Sequence, residues 1–227
     1  MFDPTRTAFI FDMDGTILDN MMFHTRAWLQ VLDELGLPRW DPEAWEHRTS
    51  GVPNRTILRE LLGLNFDDAE IARWVERKES LYREHADGAV REIPGCIAYI
   101  RGLRAAGARV ALATGAGRTN IAFNLGALGM LHDFDAIVGA DDVQRGKPEP
   151  DIFLAAAASL GSAPENCVVF EDAPMGLEAA RRAGMRAVCI TSMMTDAQAR
   201  AFPNVVATVR DYEISSLANV GLTNSHE

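Results

Sequence analysis

Two acids two residues apart, Asp12 and Asp14, close the first apolar run of the chain, and Gly15 follows them. In extended backbone, residues i and i+2 point to the same side, so both carboxylates would project from one strand end. Two carboxylates in one crevice repel each other and call for a proton or a metal. Taken alone, Asp-x-Asp-Gly serves equally well to cap a turn. Other strand ends bear on the choice. The run Cys167-Val168-Val169-Phe170 finishes in Glu171-Asp172, again two acids. The run Val110–Ala113 finishes in Thr114-Gly115 ahead of a helical pattern, and a hydroxyl with several N–H groups at a helix start suits an anion. Lys147 sits in Arg145-Gly146-Lys147-Pro148-Glu149-Pro150, where two prolines stiffen the approach to the next helix. A lone lysine is usually a solvated charge. Beside four acids and an anion site, Lys147 becomes a candidate for neutralising a bound phosphate.

The elements that must position these residues follow from the apolar pattern. Ala8–Phe11, Val110–Ala113, Ala136–Val138, Cys167–Phe170 and Ala187–Ile190 are almost continuously apolar, as strands covered on both faces are. Helical patterns at Cys96–Ala106, Thr119–Leu128, Ile152–Leu160 and Gly176–Ala183 separate them, each followed by a glycine that suits a helix end. This alternation predicts an α/β fold, a doubly wound parallel sheet with helices on both faces. Strand ends of such a sheet are where ligands bind. From about Met21 to Ala86 only helical patterns occur, and all four tryptophans fall there. The expected organisation is therefore a core of residues 1–18 and 90–227 with an all-helical insert at 19–89. Asn219–Glu227 is expected to fray.

The bulk properties exclude several partner classes. The chain of 227 residues carries 22 Lys and Arg against 32 Asp and Glu, a formal net charge of −10. Nucleic acid and anionic membrane both need a basic footprint, so neither is expected as a partner. No apolar run reaches transmembrane length, and the first residues do not read as a signal peptide, so a soluble cytoplasmic protein is expected. The three cysteines, Cys96, Cys167 and Cys189, show no metal-site or disulfide spacing.

Asp12-Met13-Asp14-Gly15-Thr16, Thr114-Gly115, Lys147-Pro148 and Glu171-Asp172, in that order, resemble the four motifs of the haloacid dehalogenase superfamily of phosphotransferases. Val168-Val169-Phe170-Glu171-Asp172-Ala173-Pro174-Met175-Gly176 and the helical insert resemble its β-phosphoglucomutase-like branch with a small cap. The resemblance implies a Rossmann-like core and roles for the motif residues. Asp12 would attack phosphorus as the nucleophile, and Asp14 would act as general acid and then base. Mg²⁺, a hard cation, would be held by Asp12, the Asp14 carbonyl and Asp172, with Glu171 in an outer shell. Thr114, Gly115 and Lys147 would hold the phosphoryl oxygens.

The insert would then read the substrate, a small phosphorylated metabolite. His24 resembles a cap-hinge histidine of sugar-phosphate members, and a surface position on the first cap helix is the alternative. Ser50, Gly51, Asn54 and Arg55 resemble the cap's substrate loop. Arg55 could clamp an anion or simply open the helical pattern Thr56–Leu62. Two departures favour hydrolysis over phosphosugar isomerisation. Ser50 stands where the mutases carry lysine, and Ala116-Gly117-Arg118 replaces their serine, lysine and asparagine. The expected activity is a Mg²⁺-dependent sugar phosphatase, with β-phosphoglucomutase second. A dehalogenase needs neither a metal nor the second aspartate. A non-catalytic phospho-ligand-binding protein has no use for an intact nucleophile.

Overall fold

The computed structural model describes residues 3–49 and 51–213. Ser50 and the expected fraying of Asn219–Glu227 lie outside the described residues. The chain divides into two compact units: the residues up to Asp19 with those from Arg91 onward, and Asn20–Val90.

The first unit is built on one parallel sheet. Its strands are β1 (Ala8–Phe11), β2 (Arg109–Ala113), β3 (Ala136–Val138), β4 (Cys167–Glu171), β5 (Arg186–Ile190) and β6 (Val205–Val209). Their order across the sheet is β3-β2-β1-β4-β5-β6, which puts β1 in the interior. Every residue of β1 and β4 is buried, the physical reason Ala8–Phe11 and Cys167–Phe170 are unbroken apolar runs, with the buried Glu171 closing β4. On one face, Ile10, Ala111, Val169 and Cys189 pack with Ile152, Phe153, Ala156 and Leu177. Elsewhere in the core, aromatic rings meet: Phe11 stacks on Phe170 at 4.5 Å, and Tyr99 and Tyr212 close around the pair. All three cysteines are buried and free.

Register decides what these strands present at their ends. Phe11 pairs with Leu112 on one side and Phe170 on the other. One residue further on, Asp12 therefore stands between the ends of β2 and β4, and its N–H donates to the Phe170 carbonyl at 3.0 Å. Thr114 follows β2, with its N–H on the Val138 carbonyl. Glu171 and Asp172 close β4. The chain leaves this unit after Asp19 and returns at Arg91 side by side. The Asp19 N–H donates to the Arg91 carbonyl at 3.0 Å, and Leu18 bridges Glu92 in antiparallel fashion.

The second unit is helical: α1 (Met21–Glu34), α2 (Pro42–Thr49), α3 (Asn54–Thr56, running on as a π-turn over Ile57–Leu61) and α4 (Asp68–Ala86). α1 packs on α4, and Phe23, Ala27, Trp28 and Val31 of the one and Ile71, Leu81 and Tyr82 of the other are buried. Trp45 is fully buried and sits 6.0 Å from Trp28 and 5.5 Å from the half-buried Trp40, so Trp28 and Trp45 belong to this unit's own core. A capping box of Asp67 and Glu70 starts α4.

After the insert come α5 (Cys96–Ala105), α6 (Arg118–Leu128), α7 (Asp151–Ser159), α8 (Pro174–Arg182) and the short α9 (Asp196–Ala199). Gly129 after α6 adopts a left-handed conformation at φ +65°, as a helix-ending glycine does. β6 and α9 add to the expected elements. β6 is an edge strand with partly exposed residues, so its sequence lacks the unbroken apolar signature of the interior strands.

Candidate active site

Three of the four motif acids meet at the strand ends of the first unit. Carboxylate oxygens of Asp12, Glu171 and Asp172 lie within 4.8 Å of one another, and all three residues are buried. Lys147 reaches the same place from the loop before α7. Its ammonium nitrogen lies 2.5 Å from Oδ1 of Asp12 and 2.7 Å from Oε1 of Glu171, with the Phe153 ring 5.0 Å away. Lys147 is thus 11% exposed and doubly paired.

Each acid is held by identifiable contacts. Glu171 Oε2 accepts the N–H groups of Asp172 at 2.8 Å and Ala173 at 2.7 Å. Both its oxygens are therefore engaged, one with Lys147 and one with backbone. Asp172 Oδ1 accepts the Thr16 hydroxyl at 3.1 Å. Its Oδ2 rests where a side chain on Gly15 would be, and Gly15 has φ +72°, so only glycine fits that turn. Ser192, from the loop after β5, donates to the Gly15 carbonyl at 2.6 Å, and its hydroxyl lies 3.5 Å from Asp172 Oδ2. Asp14 is half-buried on the turn beside them.

Electrostatics follow from this crowding. Burial pushes the Asp12 carboxyl up to about 7 against the opposing pull of Lys147, with Glu171 and Asp14 adding to the rise. Burial, then Glu171 and Asp12, raise Asp172 well above the usual carboxylate range. Burial opposes the charge on Lys147, but Asp12 and Glu171 outweigh it and hold the ammonium above its ordinary range. Three hard oxygen donors, buried and competing for one lysine, form a set that a small divalent cation fits.

Two further expected residues of this unit follow β2, the neighbour of β1. Thr114 is buried, and its hydroxyl accepts the Ala116 N–H at 3.1 Å. Gly115 is exposed, with open space where a side chain would be. Arg118 follows them and is held by the Asp142 carboxylate.

In the helical unit, His24 stacks on Tyr82 at 4.0 Å, and its Nδ1 lies 2.7 Å from Nζ of Lys78. Lys78 pairs with Glu79 at 3.0 Å, and Asn54 donates to the same Glu79 oxygen at 2.6 Å. His24 and Asn54 are thereby joined in one polar chain. Arg55 instead pairs with Asp68 at 2.5 Å and is half exposed, and Arg59 shares that carboxylate. Gly51 takes φ +71° in the turn between α2 and α3.

Sequence reasoning missed Ser192, Lys78 and Glu79. Ser192 carries no motif. Lys78 and Glu79 lie in a helix so rich in charge that nothing marks one lysine as 3% exposed.

The fold and the four motifs agree with what comparison with known proteins shows. The profile of haloacid dehalogenase-like hydrolases matches residues 7–184, and the chain belongs to that family. It is a phosphoric monoester hydrolase of that family. It is 38% identical to the fructose-1-phosphate phosphatase YqaB of Escherichia coli over 181 residues, 79% of this chain and 93% of the relative. It is 32% identical to the β-phosphoglucomutase of Bacillus subtilis, over 80% of this chain and 81% of that one. The solved structure of a hydrolase from Pseudomonas syringae superposes with a TM-score of 0.82 at 30% identity, covering 94% of this chain and 96% of its own. No described helix is long and apolar enough to cross a membrane.

Proposed function

We propose that the protein hydrolyses a small sugar phosphate in the presence of Mg²⁺, through a phosphate ester formed on Asp12. The observation that carries the reading is the placing of Lys147 against Asp12 and Glu171 at the end of β1, beside Asp172. An anionic nucleophile and a buried cation share one strand end, which is what transfer of a charged phosphoryl group needs.

In the first step, an Asp12 carboxylate oxygen attacks phosphorus and the bond to the sugar oxygen breaks. Asp14 gives the departing oxygen its proton. In the second step, Asp14 takes a proton from water, whose oxygen attacks phosphorus; the bond to Asp12 breaks and inorganic phosphate leaves. Lys147 turns toward the phosphoryl oxygens as they arrive, beside the Thr114 hydroxyl and the Gly115 N–H. The open space at Gly115 leaves that amide accessible to a ligand. Asp12, Asp172 and the Asp14 carbonyl would hold Mg²⁺, with Glu171 behind them, and the ion would supply charge neutralisation at the transferring group. Burial raises the carboxyls of Asp12 and Asp172 above the ordinary range, so a cation that favours their charged form suits the site.

The helical insert is the candidate substrate reader, and the polar chain His24–Lys78–Glu79–Asn54 supplies donors and acceptors of the kind a sugar requires. Hydrolysis is favoured over isomerisation because Arg118, where the mutases carry polar side chains, is tied to Asp142. The relative that acts on fructose 1-phosphate supports the same substrate class. A panel of sugar phosphates assayed for phosphate release with Mg²⁺ and with EDTA tests the reading. Release confined to the Mg²⁺ arm is expected; conversion of glucose 1-phosphate to the 6-phosphate outpacing release would replace it with the mutase.

A further inference from the structure

Gly176 lies in the first turns of α8, five residues after Glu171. A methyl group added to its α-carbon would overlap Oε1, Cδ and Oε2 of Glu171 together. The Glu171 carboxylate therefore lies flat on the bare backbone of α8. From that seat Oε2 takes the N–H groups of Asp172 and Ala173, while Oε1 faces Lys147 at 2.7 Å. Gly176 is fully helical rather than left-handed, so no backbone conformation demands glycine there. Within a helix, glycine is less favourable than alanine. Its place in α8 needs another reason, and the carboxylate in contact with it supplies one.

We infer that Gly176 is a positioning residue for Lys147: its missing side chain is a socket that seats Glu171, and the seated Glu171 fixes the ammonium that faces Asp12. The inference rests on the reading of Lys147 as the cation that meets the phosphoryl group. A side chain at 176 leaves two ways out, displacing the helix backbone or displacing the carboxylate end of Glu171. The carboxylate is the far end of a flexible side chain and gives way first. It then loses its backbone donors, and Lys147 keeps only Asp12 of its two partners.

Gly176→Ala in the full-length enzyme tests this in two ways. Hydrolysis of p-nitrophenyl phosphate at saturating Mg²⁺ should fall about tenfold or more in kcat, as expected when a stabilising group is misplaced. Thermal denaturation separates the socket from a general need for glycine. With Glu171 present, Gly176→Ala should leave Tm unchanged or lower it. In a Glu171→Ala background the same change should raise Tm by about 2–4 °C, the gain of alanine over glycine in a helix. Glu171→Asp, one methylene shorter, is the second background if Glu171→Ala does not fold, and there too the penalty should shrink. An equal change in Tm in both backgrounds, or an unchanged kcat, would overturn the inference. Should the wild-type enzyme release no phosphate from any ester, the phosphatase reading fails by itself, and the Tm cycle still decides the socket.

Discussion

The ammonium nitrogen of Lys147 lies 2.5 Å from Oδ1 of Asp12, so the proposed nucleophile and the proposed phosphate-binding cation are already paired. Lys147 also holds Glu171, and these side chains are 2–11% exposed. Removing the lysine leaves two buried carboxylates facing each other. Lys147→Met is expected to cost about 3 kcal/mol or more of stability at pH 8, the scale of breaking a buried pair by deleting one partner. Urea denaturation measures it. The loss should shrink at pH 5, where Asp12 takes a proton; an undiminished loss there would mean that packing, not charge, is responsible.

Asp12→Asn keeps the shape of the side chain and removes the proposed nucleophile. Phosphate release should fall at least about a thousandfold, since an amide does not form the covalent phosphate ester. The variant should remain folded, because burial already disfavours the charge that is removed. Substantial turnover by this variant would end the covalent mechanism.

Asp12 also sets a pH dependence. Its folded-state value of about 7 lies above the ordinary 3.8, so between about pH 4 and 7 the folded chain binds more protons than the unfolded one. Stability of the EDTA-treated protein from this group should therefore decline as pH rises through that window. A cation must displace these protons below pH 7, so the rise in Tm on adding Mg²⁺ should be larger at pH 8 than at pH 6. Equal rises at both values would show that Asp12 is not a ligand.

Ser192 holds the Gly15 carbonyl at 2.6 Å, and Gly15 is the residue on which Asp172 rests. Ser192→Ala should cost about 0.5–1.5 kcal/mol and raise the Mg²⁺ concentration for half-maximal stabilisation several-fold. Ser192→Thr keeps the hydroxyl and should restore both. Differential scanning fluorimetry across a Mg²⁺ series reads both effects.

Much of this site is legible in sequence because interior strands write plainly. The runs Ala8–Phe11, Val110–Ala113 and Cys167–Phe170 are apolar throughout, so Asp12, Thr114, Glu171 and Asp172 stand out as the first polar residues after them. Lys147 is marked by its prolines and its company. Ser192 is not marked, because one hydroxyl after β5 resembles any loop serine until the register brings it to Gly15. The seat at Gly176 is equally silent: the motif containing it is visible, but the reason for its glycine is a contact with a side chain five residues back. Lys78 fails for the opposite cause. It lies among Glu76, Arg77 and Glu79, where charge is the background, and its burial depends on α1 packing against α4.

The side-by-side exit and return of the chain at Asp19 and Arg91 has an architectural consequence. Those two backbone strands close the neck within the catalytic unit, so the length of what lies between them is not fixed by the sheet. The helical segment should therefore be removable as a cassette on a closed stem, without a change in strand register. A chain in which a short glycine-rich link replaces Asn20–Val90 should keep the parallel sheet and its acid cluster, leaving that unit without the proposed substrate reader.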